Sequence, residues 1–293
     1  MVESRSRGDR TFVAINTTVL VLLTLLTLYP CLYVLFASVS DPVKLYAGSR
    51  LLLAPRGFSV AAYSIIMSHA MLWRSYLNTL IYVSLATVIS LAVTIMGSYV
   101  LSRQRLPGRG VILTMVTVTM FFGGGLIPTY LVVVNLHLID TIWAMVLPSV
   151  ISTYNLIMML TYFRGIPAEM EESAHIDGAN DWTILTRIMV PLALPVIAVI
   201  ALYVIVSNWN SYVPGTIYLR TREKYPLQVI LREILISGSS NLDTAMSGYD
   251  NFAAYSEAVK YATIIVTTVP VLMLYPFLQR FFIKGVMLGA VKG

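Results

Sequence analysis

The sequence predicts an all-α integral membrane protein with six membrane-spanning helices, and three observations support this. Charged residues fill 12% of the 293 positions and apolar residues 57%, against roughly a quarter and a half in an ordinary soluble domain, so charge is too sparse for a water-facing surface. Six apolar runs reach the roughly 20 residues that a helix rising about 1.5 Å per residue needs to cross a hydrocarbon core about 30 Å thick. None of the six contains Asp, Glu, Lys, Arg or His.

The runs cover residues 12–39, 75–101, 111–134, 141–163, 188–207 and 261–278. The first follows a tail carrying Arg5, Arg7 and Arg10, the layout of a secretory signal. It is too long for a cleaved apolar segment and no small-residue cleavage site follows promptly, so it reads as a retained span. The third contains Gly123-Gly124-Gly125 and then Pro128, which weaken or break a helix in water. Backbone freed in a membrane must be covered by neighbouring helices or line a path. The third span is therefore expected to kink and face the bundle interior, with close packing through small residues as the alternative.

Orientation follows from lysine and arginine placement. Arg103, Arg105 and Arg109 crowd the short link between spans 2 and 3, Arg164 and Arg187 bracket that between 4 and 5, and Arg280, Lys284 and Lys292 close the chain. The basic residues on the other side are spread over much longer loops. Both termini and the two short links are thus expected in the cytoplasm. Segment 40–74, with turn signals at Asp41-Pro42, Pro55 and Gly57, predicts a small cap; in segment 208–260 the apolar pattern after Pro226, ending at Gly238, predicts a helix at the interface or outside the membrane.

Several chemistries are excluded. The single cysteine, Cys31, lies inside an apolar run, so there is neither a disulfide framework nor a thiolate metal cluster. The net charge of +6 comes from residues flanking the spans, which act as topology signals and not as a nucleic-acid surface. His69, His137 and His175 fall in loops, and no paired acid and base or metal set suggests an enzyme. A secondary carrier or channel is the alternative transport reading, but ion-coupled carriers keep ionisable groups inside the membrane. The chain also lacks the G-x-x-x-x-G-K-[ST] phosphate cradle, so any pumping draws its energy from another chain.

The link between spans 4 and 5 is the most informative stretch. Pro167 suits a first helical position, Glu169, Glu171 and Glu172 sit where the helix dipole favours anions, and Gly178 suits a left-handed terminator. A helix of about three turns follows, with a low-profile face at Ser173 and Ala174. Its acids, with Asp177 and Asp181, face only Arg164 and Arg187, which suits a basic protein groove better than anionic lipid.

Glu172-Ser173-Ala174, then Gly178, then Ile188-Met189-Val190-Pro191 resemble the EAA loop of ATP-binding-cassette importer permeases, with Ser173 replacing an alanine and Val190 a leucine. Asp177-Gly178-Ala179, Asn78-Thr79, the 124–130 stretch, Trp209-Asn210-Ser211-Tyr212 and Tyr225-Pro226-Leu227-Gln228 extend the resemblance over residues 75–285. They are similar to the carbohydrate (oligosaccharide) branch, and within it to alginate-importer permeases.

The resemblance implies a type I importer permease fold with a cytoplasmic coupling helix between spans 4 and 5. It divides the chain into a first span with outer loop (1–74), a permease core (75–285, EAA loop about 165–191) and a short tail (286–293). It implies a second homologous permease, two ATPase subunits holding ATP and Mg, and an extracytoplasmic solute-binding protein, all at the cytoplasmic (inner) membrane. Glu169, Glu171, Glu172, Ser173, Ala174, Asp177 and Gly178 would couple to the ATPase, with Glu172 meeting a basic residue of its groove. Sugars present hydroxyl edges and apolar ring faces, so Tyr154, Asn155, Asn208, Trp209, Asn210 and Tyr212 are the expected pathway residues. For Trp209 and Tyr212 an interfacial aromatic belt is the alternative. Arg220, Arg222 and Lys224 would attract an acidic sugar chain or grip the binding protein.

Overall fold

A computed structural model describes residues 7–49, 51–237 and 251–290. Its α-helices in order are α1 (Arg7–Ser38), α2 (Pro42–Ala47), α3 (Ala61–Met67), α4 (Ala70–Ser102), α5 (Arg109–Phe121), α6 (Leu126–Asn135), α7 (Ile142–Val146), α8 (Thr153–Arg164), α9 (Glu169–Ile176), α10 (Asp181–Ile184), α11 (Val190–Leu192), α12 (Leu194–Trp209), α13 (Tyr212–Tyr218), α14 (Leu227–Ser237) and α15 (Phe252–Ala290). Among the described residues there is no strand. The predicted terminator Gly238 and the basic residue Lys292 lie outside them.

Three of the six predicted spans are unbroken helices, at Thr11–Ser38, Ala70–Ser102 and Phe252–Met273. The other three are bent pairs, turned by 116° between α5 and α6, 49° between Ile142–Ser149 and α8, and 81° between Asp181–Leu192 and α12. Proline chemistry accounts for the last two. Pro148 lies in a 3-10 turn, Leu147–Ser149, and the chain restarts where the Ser152 hydroxyl accepts the Asn155 N–H at 3.4 Å. Pro191 and Pro195 flank Ala193, and Pro195 has no N–H to give to the carbonyl one turn back. A π-helical turn, Leu185–Met189, precedes this break.

The α5–α6 pair breaks at the expected glycines, with Gly125 in the left-handed half of backbone space (φ +80°). It is not covered by its own chain as expected: no α5 residue is buried, and Val133 alone is buried in α6. Phe121, Phe122 and Ile127 are more than 70% exposed. The exposed surface is largely apolar, so it is left for lipid or another chain to cover.

The chain divides into two compact units, Met1–Ala70 with Leu231–Val269, and Met71–Ile230 with Pro270–Gly293. In the first, residues 40–70 fold back on the end of α1, with Ser59 N–H on the Val39 carbonyl at 3.0 Å and Tyr63 Oη bonded to Ser38 Oγ at 2.8 Å. Asp41 accepts the N–H groups of Val43 (3.1 Å) and Lys44 (3.0 Å) to start α2, while Leu45 and Leu52 bury against Ala37, with Tyr33 and Tyr261 meeting edge-on beside them.

In the second unit, α4, α8, α9, the π-helical turn and α12 share one core built on Tyr99, Met159, Phe163, Ala174, Met189 and Ile200. At the other end of α4 a second set of contacts holds segment 223–227. Asn78 Nδ2 donates to the Glu223 (2.7 Å) and Tyr225 (3.1 Å) carbonyls, Tyr82 Oη to the Lys224 carbonyl (2.8 Å), and Thr79 Oγ1 accepts the Leu227 N–H (2.8 Å). Two motifs far apart in sequence, Asn78-Thr79 and Tyr225-Pro226-Leu227, thus meet. Gly215 packs on the same segment, and a Cβ there would lie 2.5 Å from Pro226 Cγ and 2.9 Å from Val229 Cγ2. Gly215→Val is expected to destabilise by about 1–3 kcal/mol through overpacking, seen as a lower melting temperature of the purified protein, whereas Gly110→Ala, with open space around it, should leave it unchanged.

Candidate functional site

Helix α9 is the expected acidic helix, two turns long instead of three. Pro167 stays just outside it, its carbonyl accepting from Met170 N at 3.3 Å. At the far end Gly178 takes φ +81°. Its N–H reaches the His175 carbonyl (3.0 Å) and the Ala179 N–H reaches the Ala174 carbonyl (2.9 Å), a Schellman termination. No atom approaches a Cβ built on Gly178 within 4 Å, so the position needs glycine for its backbone angle and not for space.

The two faces of α9 differ. Ala174, expected on the outward low-profile face, is instead buried in the core that also holds Tyr99, Phe163 and Met189. Glu171, three residues earlier on the same side, pairs with Arg103. Ser173 donates to the Met170 carbonyl at 3.2 Å and remains exposed. The outward face carries Glu169, Glu172 and Asp177 beside Met170 and Ile176, the last 86% exposed, with Trp182 exposed after the turn. His175, placed in a loop by sequence, sits on α9 at 3.8 Å from the Asp181 carboxylate. An acidic rim around exposed apolar side chains is the composition of a protein-docking surface.

A polar cavity of about 280 Å³ lies where the 3-10 turn and the start of α8 meet α12, lined by Ser149, Ser152, Tyr154, Asn155, Tyr203, Val204, Ser207 and Asn208. At the start of α8 Asn155 is buried while Tyr154 stays exposed at the cavity's edge, and 203, 204, 207 and 208 share one face of α12. Asn208 Nδ2 satisfies the Val204 carbonyl (2.9 Å) while its Oδ1 accepts from Ser149 Oγ (3.1 Å). The Tyr154 and Tyr203 rings stand 6.3 Å apart at 50°. The lining is neutral, with hydroxyl and amide groups beside two aromatic faces. Such a surface holds polyhydroxylated rings by hydrogen bonds and by contact with their apolar faces.

Beyond the apolar runs, Asp140 organises the chain after α13. It takes a left-handed φ of +58°, and its carboxylate accepts the N–H groups of Arg220 and Thr221 (both 3.0 Å), the Thr221 hydroxyl (2.5 Å) and Lys224 Nζ (2.8 Å). Burial pushes its carboxyl up, but the bonds from Lys224, Thr221 and Arg220 outweigh this and hold it well below the usual carboxylate range.

Residues 60–288 match the family described as binding-protein-dependent transport system inner membrane component. The chain belongs to that family. It is 40% identical over 275 residues, 94% of this chain and 96% of the relative, to the polygalacturonan/rhamnogalacturonan transport system permease protein YtcP of Bacillus subtilis (strain 168). Protein LplC of the same organism is 35% identical over 291 residues, 98% of this chain and 97% of that protein. A solved bacterial ABC transporter involved in the import of the acidic polysaccharide alginate matches with a TM-score of 0.89 at 35% identity, covering 94% of this chain and 98% of that one.

In this inner membrane component the structure gathers three of the six expected pathway residues, Tyr154, Asn155 and Asn208, in the cavity. The other three lie outside its lining. Trp209 is buried edge-on against Tyr76 at 5.8 Å, Asn210 donates to the Val206 carbonyl at 2.8 Å, and Tyr212 opens α13. Tyr203, Ser149, Ser152 and Ser207 were missed because inside an apolar run nothing marks which face meets a partner helix. Asp140 was missed too, although it is the one acid between Asp41 and Glu169. Its depressed pKa contributes stability that is present above the unfolded value near 3.8 and is lost as pH falls toward the folded value. Asp140→Asn is therefore expected to lower the melting temperature at pH 7, with the gap to wild type narrowing as pH falls below that value.

Proposed function

We propose that this chain is one of two permease subunits of an ATP-driven importer that carries an acidic oligosaccharide or polysaccharide across the inner membrane by alternating access. The observation that carries the reading is α9, an acidic helix with exposed Met170 and Ile176 that ends in a left-handed glycine and packs through Ala174 onto three spans. One subunit of the ATPase pair docks there, with Glu169, Glu172 and Asp177 meeting basic residues of its groove. ATP and Mg belong to those subunits, since the sequence has no phosphate cradle of its own. The docking helix and both termini then lie in the cytoplasm, as the crowding of Arg103, Arg105 and Arg109 into a short link supports.

Closure of the ATPase pair displaces α9, and because Ala174 is embedded in the core shared by α4, α8 and α12, the displacement enters the bundle there. The polar cavity at the α8 break holds one segment of the sugar chain at a time: hydroxyls meet Ser149, Ser152, Asn155, Ser207 and Asn208, and ring faces meet Tyr154 and Tyr203. The names of the relatives, for polygalacturonan/rhamnogalacturonan and for alginate, support an acidic sugar polymer as the cargo. Exposed Arg220 would attract it, whereas Lys224 is committed to Asp140.

The test is uptake of oligogalacturonate into proteoliposomes holding the chain with its second permease, its ATPase pair and its solute-binding protein. Gly178→Val forces a branched side chain into a left-handed position at a cost of about 1–2 kcal/mol. With Glu172→Lys, it is expected to cut uptake about tenfold while the ATPase subunits still bind nucleotide. Tyr203→Ala is expected to raise the sugar concentration for half-maximal uptake without that uncoupling. Uptake without ATP, or wild-type uptake by assembled Gly178→Val with Glu172→Lys, would overturn the reading.

A further inference from the structure

Arg103 counts in the sequence as one of several topology arginines, yet the structure gives it a specific task. It follows the last turn of α4, where its N–H bonds the Val100 carbonyl at 3.2 Å. Its guanidinium lies over the Tyr99 ring, 3.9 Å from the centroid, and pairs with the Glu171 carboxylate on α9. Tyr99 is itself buried against Phe163 of α8 and donates its hydroxyl to the Asp181 carbonyl, at the start of α10, at 3.3 Å. The end of α4 thus grips the chain on both sides of Gly178. The pair is shielded, with side-chain exposures of 29% for Arg103 and 16% for Glu171, so water screens it less than a surface ion pair.

The other end of α4 is held as firmly. Asn78, Thr79 and Tyr82 bond the backbone of segment 223–227, which Asp140 fixes from the opposite side through Lys224 and Thr221. Between these ends α4 is one uninterrupted helix of 33 residues, without proline, about 50 Å long at 1.5 Å per residue. By contrast, the chains entering and leaving α9 through α8 and α12 both belong to bent pairs, turned by 49° and 81°. A bent pair can absorb displacement at its break, whereas a continuous helix pinned at both ends passes it on.

We infer that Arg103 is a positioning residue that locks α9 to α4 through Glu171, making α4 the strut that links the docking helix to segment 223–227 at the opposite end of the unit. This rests on the importer reading and adds a direction to it. Load on α9 reaches segment 223–227 along α4, and by reciprocity a solute-binding protein seated over that segment alters the set of α9. Glu171 is then an internal link, and the acids left for the ATPase are Glu169, Glu172 and Asp177.

The experiment measures ATP hydrolysis by the full complex in lipid nanodiscs, with and without solute-binding protein loaded with oligogalacturonate. Arg103→Met and the near-isosteric Glu171→Gln are each expected to yield assembled complex in which stimulation by the binding protein falls about fivefold. Arg103→Lys, which keeps the charge but loses the stacked plane, should retain most of the stimulation. The exchange Arg103→Glu with Glu171→Arg should restore it to within about twofold of wild type, which a merely structural lesion would not do. Wild-type stimulation in either single variant, or an assembled exchange no better than the single variants, overturns the strut. A wild-type complex that shows no stimulation and no uptake instead fails the importer reading itself, and the strut with it.

Discussion

A helix that breaks within a bilayer must find new partners for the backbone groups the break exposes, because lipid offers none. Much of this structure follows from that demand. At Ala193, between Pro191 and Pro195, the Ala193 N–H is shared between the carbonyls of Met189 and Val190, and the freed Leu192 carbonyl accepts the Tyr162 hydroxyl from α8 at 3.0 Å. At the break before α8, Val150 N–H returns to the Leu147 carbonyl and the Ser152 side chain starts the next helix. Each repair uses a polar group from a neighbouring turn or helix, and this adds polar side chains to the bundle at the breaks.

The polar cavity is a consequence of the second repair. Ser149 and Ser152 stand at the break, Ser149 turns to Asn208, and Asn208 closes on its own helix at Val204. The groups that restore the backbone also line a space suited to hydroxyl-rich rings. The same economy holds at α9. Gly178 ends the helix within two turns, Ala174 lets it approach the core, and the remaining acids and apolar side chains are left facing outward. A short helix with its inner face embedded in three spans and its outer face exposed is suited to pass force from a docked protein into a membrane bundle.

The spans were legible because apolar length without charge is a one-dimensional signal, and α9 was legible because three glutamates fill its first turn and Gly178 ends it, although Pro167, expected as the first helical residue, stands before the cap. The bends were less so. Pro148, Pro191 and Pro195 stand in plain view, but apolar runs are found by hydropathy, which ignores backbone breaks. The direction of side chains around α9 was not legible at all. Glu171 and Glu172 are adjacent in sequence, yet one turns in to Arg103 and the other faces out, and Arg103 itself is spent on that contact as well as on topology. Ala174 was read as a smooth outer surface when its small size serves an inner one. The exposure of α5 and α6 was hidden for a related reason: glycines announce a break without saying whether the chain's own helices will cover it.

These features meet in one claim, that α9 is where a nucleotide-hydrolysing partner grips this family member from the cytoplasm. The most direct measurement places a photo-crosslinking amino acid at Ile176, 86% exposed beside the outward acids, in the membrane-embedded complex. The account predicts a covalent adduct with an ATPase subunit, formed in inverted vesicles where the cytoplasmic face is accessible. Adducts with the solute-binding protein instead, or labelling of this position from the outer side of intact cells, would contradict it.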